Sequence, residues 1–249
     1  MTASTRRVAI VTGGTRGIGA ALAQRLADSG VDLVVGYAQD SSSADALVRR
    51  IEKATAVRVV AVRGDIARAE TVDALFATAD KEFGGVDIVI GCAGAHARRR
   101  GPLAETDDAD LRHVVDVNLL GTCRLLRAAA RHVRPGGRVL AFSSSSMALG
   151  VPGQAVYNAS KAAVEVLVRH LARELAGRDV TVNAVAPGPT GTDLFLRGRT
   201  PEDIEALAQQ VPLGRIGRPE DVADLVSFLV GPAGGWINGQ VVRSNGGIV

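Results

Sequence analysis

The chain has 249 residues, 47% of them hydrophobic and 22% charged, which excludes a disordered or fibrous polymer and suits a globular fold with a filled core. Its net charge is +3, carried almost wholly by arginine, because Lys53, Lys81 and Lys161 are the only lysines; the one basic cluster, Arg98-Arg99-Arg100, lacks the interleaved aromatics of a nucleic-acid surface and reads as a solvated loop. No apolar run reaches the roughly 18 residues that span a bilayer, the first residues show no signal-peptide character, and Cys92 and Cys123 form neither a disulfide framework nor a metal spacing, so a cytoplasmic protein with two buried thiols is expected.

Short β-branched runs at 7–12, 33–37, 58–63, 86–91, 137–143, 180–186 and 240–243 read as strands, with amphipathic helical stretches between them. Strands that are apolar along their whole length are buried on both faces, so the alternation predicts an α/β fold: a doubly wound, Rossmann-like, mostly parallel seven-stranded sheet with helices on both sides. Right-handed crossovers then bring the loops that follow the strands to one edge of the sheet, where ligands bind. Length alone allows two small domains, but no linker or low-complexity break interrupts the alternation, and a single domain over 1–249 is expected.

The first strand runs through Thr12-Gly13-Gly14-Thr15-Arg16-Gly17-Ile18-Gly19 into a helix at 20–29. A glycine turn between a first strand and a helix lets backbone N–H groups approach a pyrophosphate, whose charge the helix dipole favours, so this element predicts dinucleotide binding. The second strand ends in Val35-Gly36-Tyr37-Ala38. A carboxylate there would hold an unphosphorylated ribose and repel a 2′-phosphate. Its absence, with Arg16 in the glycine turn and hydroxyls at Tyr37 and Ser41-Ser42-Ser43, favours NADP(H) over NAD(H). The serine run also marks the start of a helix at 44–54.

The strand at 137–143 ends in Ser143-Ser144-Ser145-Ser146, which taken alone reads as a hydrophilic turn at the ligand edge. Tyr157 and Lys161 follow, four apart on one face at the start of a helix. A free phenol titrates near ~10, too high for ready proton exchange at neutral pH, and a nearby ammonium lowers that value. The Gly- and Pro-rich stretch 187–212 contains the apolar Leu194-Phe195-Leu196 and a helix start at Thr200-Pro201-Glu202-Asp203. Such an insertion reads as a substrate lid.

Taken in order, these motifs resemble the short-chain dehydrogenase/reductase family from Arg7 to Val249, including its bacterial 3-oxoacyl-acyl-carrier-protein reductase-like members. The resemblance implies a catalytic set of Asn118, Ser144, Tyr157 and Lys161, with Ser143 as the fallback serine. Asn118 lies in Val117-Asn118-Leu119-Leu120-Gly121-Thr122, the helix element that supports a water relay from the lysine. It further implies cofactor contacts from Gly13, Thr15, Arg16, Gly17, Ile18, Gly19 and Tyr37, from Asp65 and Ile66 at the adenine, and from Ala93, Gly94, Tyr157 and Lys161. Pro187, Gly188, Thr190 and Thr192 would close over the nicotinamide and pyrophosphate. A homotetramer built through helices around 111–133 and 156–175 is implied as well. One departure is plain: Gly91-Cys92-Ala93-Gly94 stands where the family carries Asn-Asn-Ala-Gly, removing hydrogen bonds that brace the central sheet.

The expected activity is NADP(H)-dependent interconversion of a small ketone and a secondary alcohol, with Tyr157 transferring the proton. Two alternatives stand beside it: reduction of 3-oxoacyl chains on an acyl carrier protein docked by Arg134, Arg138 and Arg178, and a catalytically silent NADP(H)-sensing protein. The apolar lid, with Met147, Leu149 and Val151, favours an aliphatic or alicyclic ketone over a sugar.

Overall fold

The computed structural model describes residues 6–99 and 101–249, so the first five residues and Arg100 of the basic cluster lie outside the described residues. The chain alternates strands and helices: β1 (Val8–Thr12), α1 (Gly17–Asp28), β2 (Asp32–Tyr37), α2 (Ser41–Ala54), β3 (Val59–Arg63), α3 (Ala69–Phe83) and β4 (Val86–Gly91). Helix α4 (Asp108–Val114), a π-helical segment (Val115–Gly121) and α5 (Thr122–His132) run on from one another into β5 (Val133–Phe142). Then follow α6 (Ser146–Leu149), α7 (Ala155–Glu174), β6 (Thr181–Pro187), α8 (Asp193–Leu196), α9 (Pro201–Gln210), α10 (Pro219–Val230) and β7 (Val241–Ser244). The sheet has seven strands in the order 3-2-1-4-5-6-7, and every pairing is parallel. Among the described residues no helix is long and apolar enough to cross a membrane.

The strand side chains explain the layering. Val8, Ile10, Val34, Val89, Val139, Ala141, Val182 and Ala184 face one side, where α3, α5 and α7 cover them with Leu75, Phe76, Leu125, Val164 and Val168. Their neighbours Ala9, Val11, Leu33, Val35, Ile88, Ile90, Leu140 and Val185 face the other, under Leu22 and Leu26 of α1, Leu47 and Ile51 of α2 and Val226 and Leu229 of α10. Period-2 strands thus feed two cores, and each fully buried Val, Leu or Ile contributes about 1.5–3 kcal/mol.

Three boundaries differ from expectation for local reasons. Helix α1 starts at Gly17, so the glycine turn is itself the helix N-terminus. Helix α2 starts at Ser41, and its cap is Asp40, whose carboxylate accepts the Ser43 N–H. Strand β5 begins four residues early, at Val133, with its register shifted beside Pro135-Gly136-Gly137, where proline has no N–H to donate and Gly136 has φ +79°.

Candidate active site

The carboxyl ends of β1, β4, β5 and β6 bring the predicted residues to one edge. After β1 the turn is held by Gly14 N–H donating to the Gly36 carbonyl at 3.1 Å. Three glycines make it possible: a Cβ at Gly19 would lie 2.0 Å from the Gly13 oxygen, one at Gly13 would press on Ala93 at 3.0 Å, and one at Gly17 would meet Thr192 at 3.1 Å. Gly13 and Gly17 also have positive φ. The turn therefore sits against Ala93 on one side and Thr192 on the other, with Thr15 buried and Arg16 exposed. Such a cradle without Cβ atoms at the head of a twelve-residue helix fits a dinucleotide pyrophosphate.

At the far end of that cradle, the Tyr37 hydroxyl donates to Ser41 Oγ at 3.3 Å. The serines do not all face outward to a ligand, however. Ser42 and Ser43 donate their hydroxyls to the Asp40 carboxylate at 2.7 and 2.6 Å, and these bonds, with the nearby Arg16 charge, hold its pKa down at about 2. An acid therefore stands three residues beyond the strand end that sequence reading found empty of one. The β2–β3 register also places Arg63 directly beside Tyr37, with its Nε on the Ala38 carbonyl at 3.4 Å. Asp65 is exposed and accepts the Ala67 N–H at 3.0 Å, whereas Ile66 packs into the core against Gly121.

Catalytic candidates gather where β4 and β5 meet α7. Tyr157 is half-buried in the first turn of α7. Lys161, one turn on, is buried; its ammonium lies 5.7 Å from the Tyr157 ring centre and donates to the Phe142 carbonyl at 2.8 Å. Burial lowers its pKa to about 8. Asn118 sits inside the π-helical segment, fully buried and committed on both sides of its amide: it accepts from Ala95 N–H at 2.8 Å and donates to the Ala95 carbonyl at 2.9 Å and Ser160 Oγ at 3.1 Å. Asn118 thus ties the π-helical segment to the loop after β4.

The serine run divides cleanly. Ser143 donates to Glu165 at 2.6 Å and Ser145 to the Ala186 carbonyl at 3.0 Å, so neither presents a free hydroxyl at the edge. Ser144 shares a 2.8 Å bond with Ser146, which in turn donates to Asn158 at 2.6 Å, tying the run to the residue after Tyr157. The fallback, Ser143, is thus occupied elsewhere.

The departure at Gly91-Cys92 is absorbed by packing. A Cβ at Gly91 would meet Leu125 at 3.0 Å, and Cys92 packs against the second core, where burial raises its thiol pKa to about 12. Thr12 Oγ1 accepts the Ala93 N–H at 3.2 Å, so the loop after β4 is braced from β1.

After β6, Pro187 and Gly188 lead to a buried Thr190, which donates to the Gly188 carbonyl at 3.0 Å and pairs as an isolated bridge with Gly217. Thr192 caps α8, and Thr200 and Asp203 close a reciprocal capping box on α9, as the Thr-Pro-Glu-Asp spacing predicts. The apolar Leu194 is exposed, with Arg199 lying 4.0 Å over the Phe195 ring.

Sequence reading missed one residue at the centre: His96, in the loop after β4, stacks on Tyr157 with ring centres 4.0 Å apart and planes 28° apart. Conversely, Arg134, Arg138 and Arg178 lie far from the catalytic edge, at the opposite end of the sheet. Arg134 pairs with Asp87 at 3.2 Å, Arg138 donates to the Gly136 and Gly137 carbonyls, and Arg178 to those of Ala130 and Val133. Each of the three is thus half-buried and bonded within the fold.

Comparison with known proteins places this geometry in context. A family model described as enoyl-(acyl carrier protein) reductase matches residues 13–249. A short-chain type dehydrogenase/reductase of Picea abies is 40% identical, over 98% of this chain and 92% of its own. A 3-oxoacyl-[acyl-carrier-protein] reductase of Synechocystis is also 40% identical, over 100% of this chain and 99% of its own. Among solved structures, a short-chain dehydrogenase from Burkholderia cenocepacia in complex with NADP superposes with a TM-score of 0.89 at 37% identity, covering 98% of this chain and 97% of that one.

Proposed function

The chain belongs to the short-chain dehydrogenase/reductase family, and from that premise we propose that it reduces an aliphatic or alicyclic ketone to a secondary alcohol with NADPH. The observation that carries the reading is the half-buried Tyr157 phenol with the Lys161 ammonium 5.7 Å from its ring, at the mouth of a glycine cradle that fits a dinucleotide. When bound, the nicotinamide supplies the hydride. Gly13, Thr15, Gly17, Ile18 and Gly19 hold the pyrophosphate by backbone; Arg16, with Tyr37 and Arg63 at the end of the cradle, meets the 2′-phosphate, and the NADP held by the Burkholderia relative agrees with that choice. Asp65 and the backbone of the core residue Ile66 flank the adenine, Ala93 and Gly94 the ribose, and Pro187, Gly188, Thr190 and Thr192 the nicotinamide side, within a lid at 187–212 of a single domain.

In this mechanism Tyr157 gives its phenolic proton to the substrate oxygen as charge develops there, and Ser144, turning its one hydroxyl proton from Ser146 to the substrate, donates a hydrogen bond to the same oxygen. Lys161 is charged at neutral pH, since burial lowers its pKa only to about 8, and its field favours the phenolate left behind. Asn118 holds the loop after β4 in place. Replacing Tyr157 with Phe keeps the ring and removes only the proton, so NADPH affinity should stay within about twofold while turnover drops by ~10³ or more on the best substrate from a panel of 3-oxoacyl thioesters, cyclic diketones, quinones and aldoses. Near-normal turnover in that variant would overturn the mechanism.

The Synechocystis relative supports a second reading, reduction of 3-oxoacyl thioesters, which the same panel separates from the first. The assembly is read as a homotetramer in the cytoplasm, joined through the α4–α5 and α7 faces, where Leu111, Leu120 and Val166 are exposed. Light scattering at micromolar concentration should give four times the chain mass; a monomer mass rules this out.

A further inference from the structure

His96 is placed by an apparatus that the reaction scheme above leaves without a purpose. The loop after β4 is clamped at two points by buried polar side chains. Asn118 fixes Ala95 through both its N–H and its carbonyl. Asp110, buried in α4, accepts the N–H groups of Arg98 and Arg99 at 3.1 and 3.2 Å. Asp110 is itself held, its own N–H donating to the Asp107 carboxylate at 2.7 Å. Only His96 and Ala97 lie between the clamps, and the imidazole stacks on the Tyr157 ring at 4.0 Å.

Two anchors for so short a span fix the backbone from which the His96 side chain projects. A loop that served only to cover the sheet edge would need neither, since exposed loops satisfy their N–H groups with water. The Tyr157 ring needs such support. It stands in the first turn of α7, half-buried, and its phenol has two side-chain torsions to settle before the proton points at a substrate oxygen. Lys161 is pinned to β5 through the Phe142 carbonyl, but its ammonium stands 5.7 Å from the ring centre and does not set the plane of the ring. His96 does, because its own ring stacks on the phenol ring at 4.0 Å and comes from another element.

We propose that His96 is a positioning residue for Tyr157: its imidazole, aimed by the Asn118 and Asp110 clamps, holds the phenol ring in the orientation from which it transfers its proton. The proposal rests on the reading of Tyr157 as the proton donor. Stacking, rather than protonation or a hydrogen bond to substrate, is the property that matters.

The test uses the full-length protein, NADPH and the best carbonyl compound of the panel above. His96→Ala should lower kcat about tenfold while KM and NADPH affinity stay within about twofold, because misaiming a proton donor costs the chemical step and not binding. His96→Phe, which keeps a flat ring and discards every proton, should recover kcat to within about threefold. Ring-labelled tyrosine gives two NMR signals, from Tyr37 and Tyr157, assigned with Tyr37→Phe. The Tyr157 signal should lie upfield in the wild type and in His96→Phe and move downfield in His96→Ala. Asp110→Asn, which leaves His96 in place and weakens its clamp, should give an intermediate kcat at unchanged NADPH affinity. An unchanged kcat in His96→Ala, or a His96→Phe as slow as His96→Ala, would overturn the proposal. If instead Tyr157→Phe retained turnover, the fault would lie with the reading of Tyr157.

Discussion

The two ends of the cleft are built on opposite terms. At the catalytic end the polar side chains are buried and already satisfied: Lys161 by the Phe142 carbonyl, Asn118 by Ala95 and Ser160, Ser143 by Glu165. At the phosphate end Arg16, Asp40, Ser42 and Arg63 lie at the surface, with Ser42 bonded to Asp40 and Arg63 to the Ala38 carbonyl. The buried end is preorganised, so a substitution there should disturb fold, cofactor and chemistry together. The exposed end is free to exchange partners with a ligand under the proposed reading, so a substitution there should change only which ligand is preferred.

The sharpest way to break that contrast is Lys161→Ala. Turnover should fall at least about a hundredfold and NADPH affinity should weaken as well, if, as the family resemblance implies, one ammonium serves both the cofactor ribose and the phenol; intact NADPH binding would show that the buried end is less coupled than proposed. Stability supplies an independent readout. Burial lowers the Lys161 pKa from 10.5 to about 8, so between those values the unfolded chain holds a proton that the folded chain has released. This contribution therefore makes the fold more stable as pH rises from about 8 towards 10.5, while below 8 both states are protonated and the gain is absent. Urea midpoints measured across that window should climb in the wild type relative to Lys161→Met, and parallel curves would refute the assignment.

The same contrast explains what could be read from sequence. The glycine turn and the Tyr157–Lys161 pair are local: a strand–turn–helix context and an i, i+4 spacing fix their geometry within a few residues. The parallel sheet was legible for a similar reason, in unbroken apolar strands such as Val8–Thr12 and Val86–Gly91. His96 and Arg63 reach the site only through tertiary register, one by the Asn118 and Asp110 clamps and the other by lying beside Tyr37 across the β2–β3 pairing. No spacing along the chain announces either. Asp40 was within reach, since an acid directly before three serines is a favourable helix cap that draws their donors to itself. The serine run at 143–146 was ambiguous because its hydroxyls part company only when Glu165, Ala186 and Asn158 arrive from other elements.

At the exposed end the first expectation is a change of preference. Arg16→Ala should weaken NADPH about tenfold and leave NADH within about twofold, since only the former carries the 2′-phosphate that a guanidinium binds by charge-assisted hydrogen bonds. Titration of nicotinamide fluorescence with each cofactor measures this. A uniform loss for both would mean that Arg16 supports the turn instead of reading the phosphate.

The smallest effect should come from Asp40, and its sign is opposite. The Ser43 and Ser42 hydroxyls and the nearby Arg16 keep its carboxylate ionised down to about pH 2, so at neutral pH a full negative charge would compete with a bound 2′-phosphate for Arg16 and for both hydroxyls. Asp40→Asn removes that charge yet retains an oxygen to accept the Ser43 N–H, so α2 keeps its cap and the variant should be as stable as the wild type within error. NADPH affinity should then rise, by about threefold at low salt, with NADH unchanged. Because Asp40 is exposed, the gain should shrink as ionic strength is raised through the range where the screening length falls to about 8 Å. A gain that persisted at high salt would point to freed serine hydroxyls rather than to relieved repulsion. A loss of NADPH affinity would show that Asp40 orders the serines for the phosphate instead of competing with it.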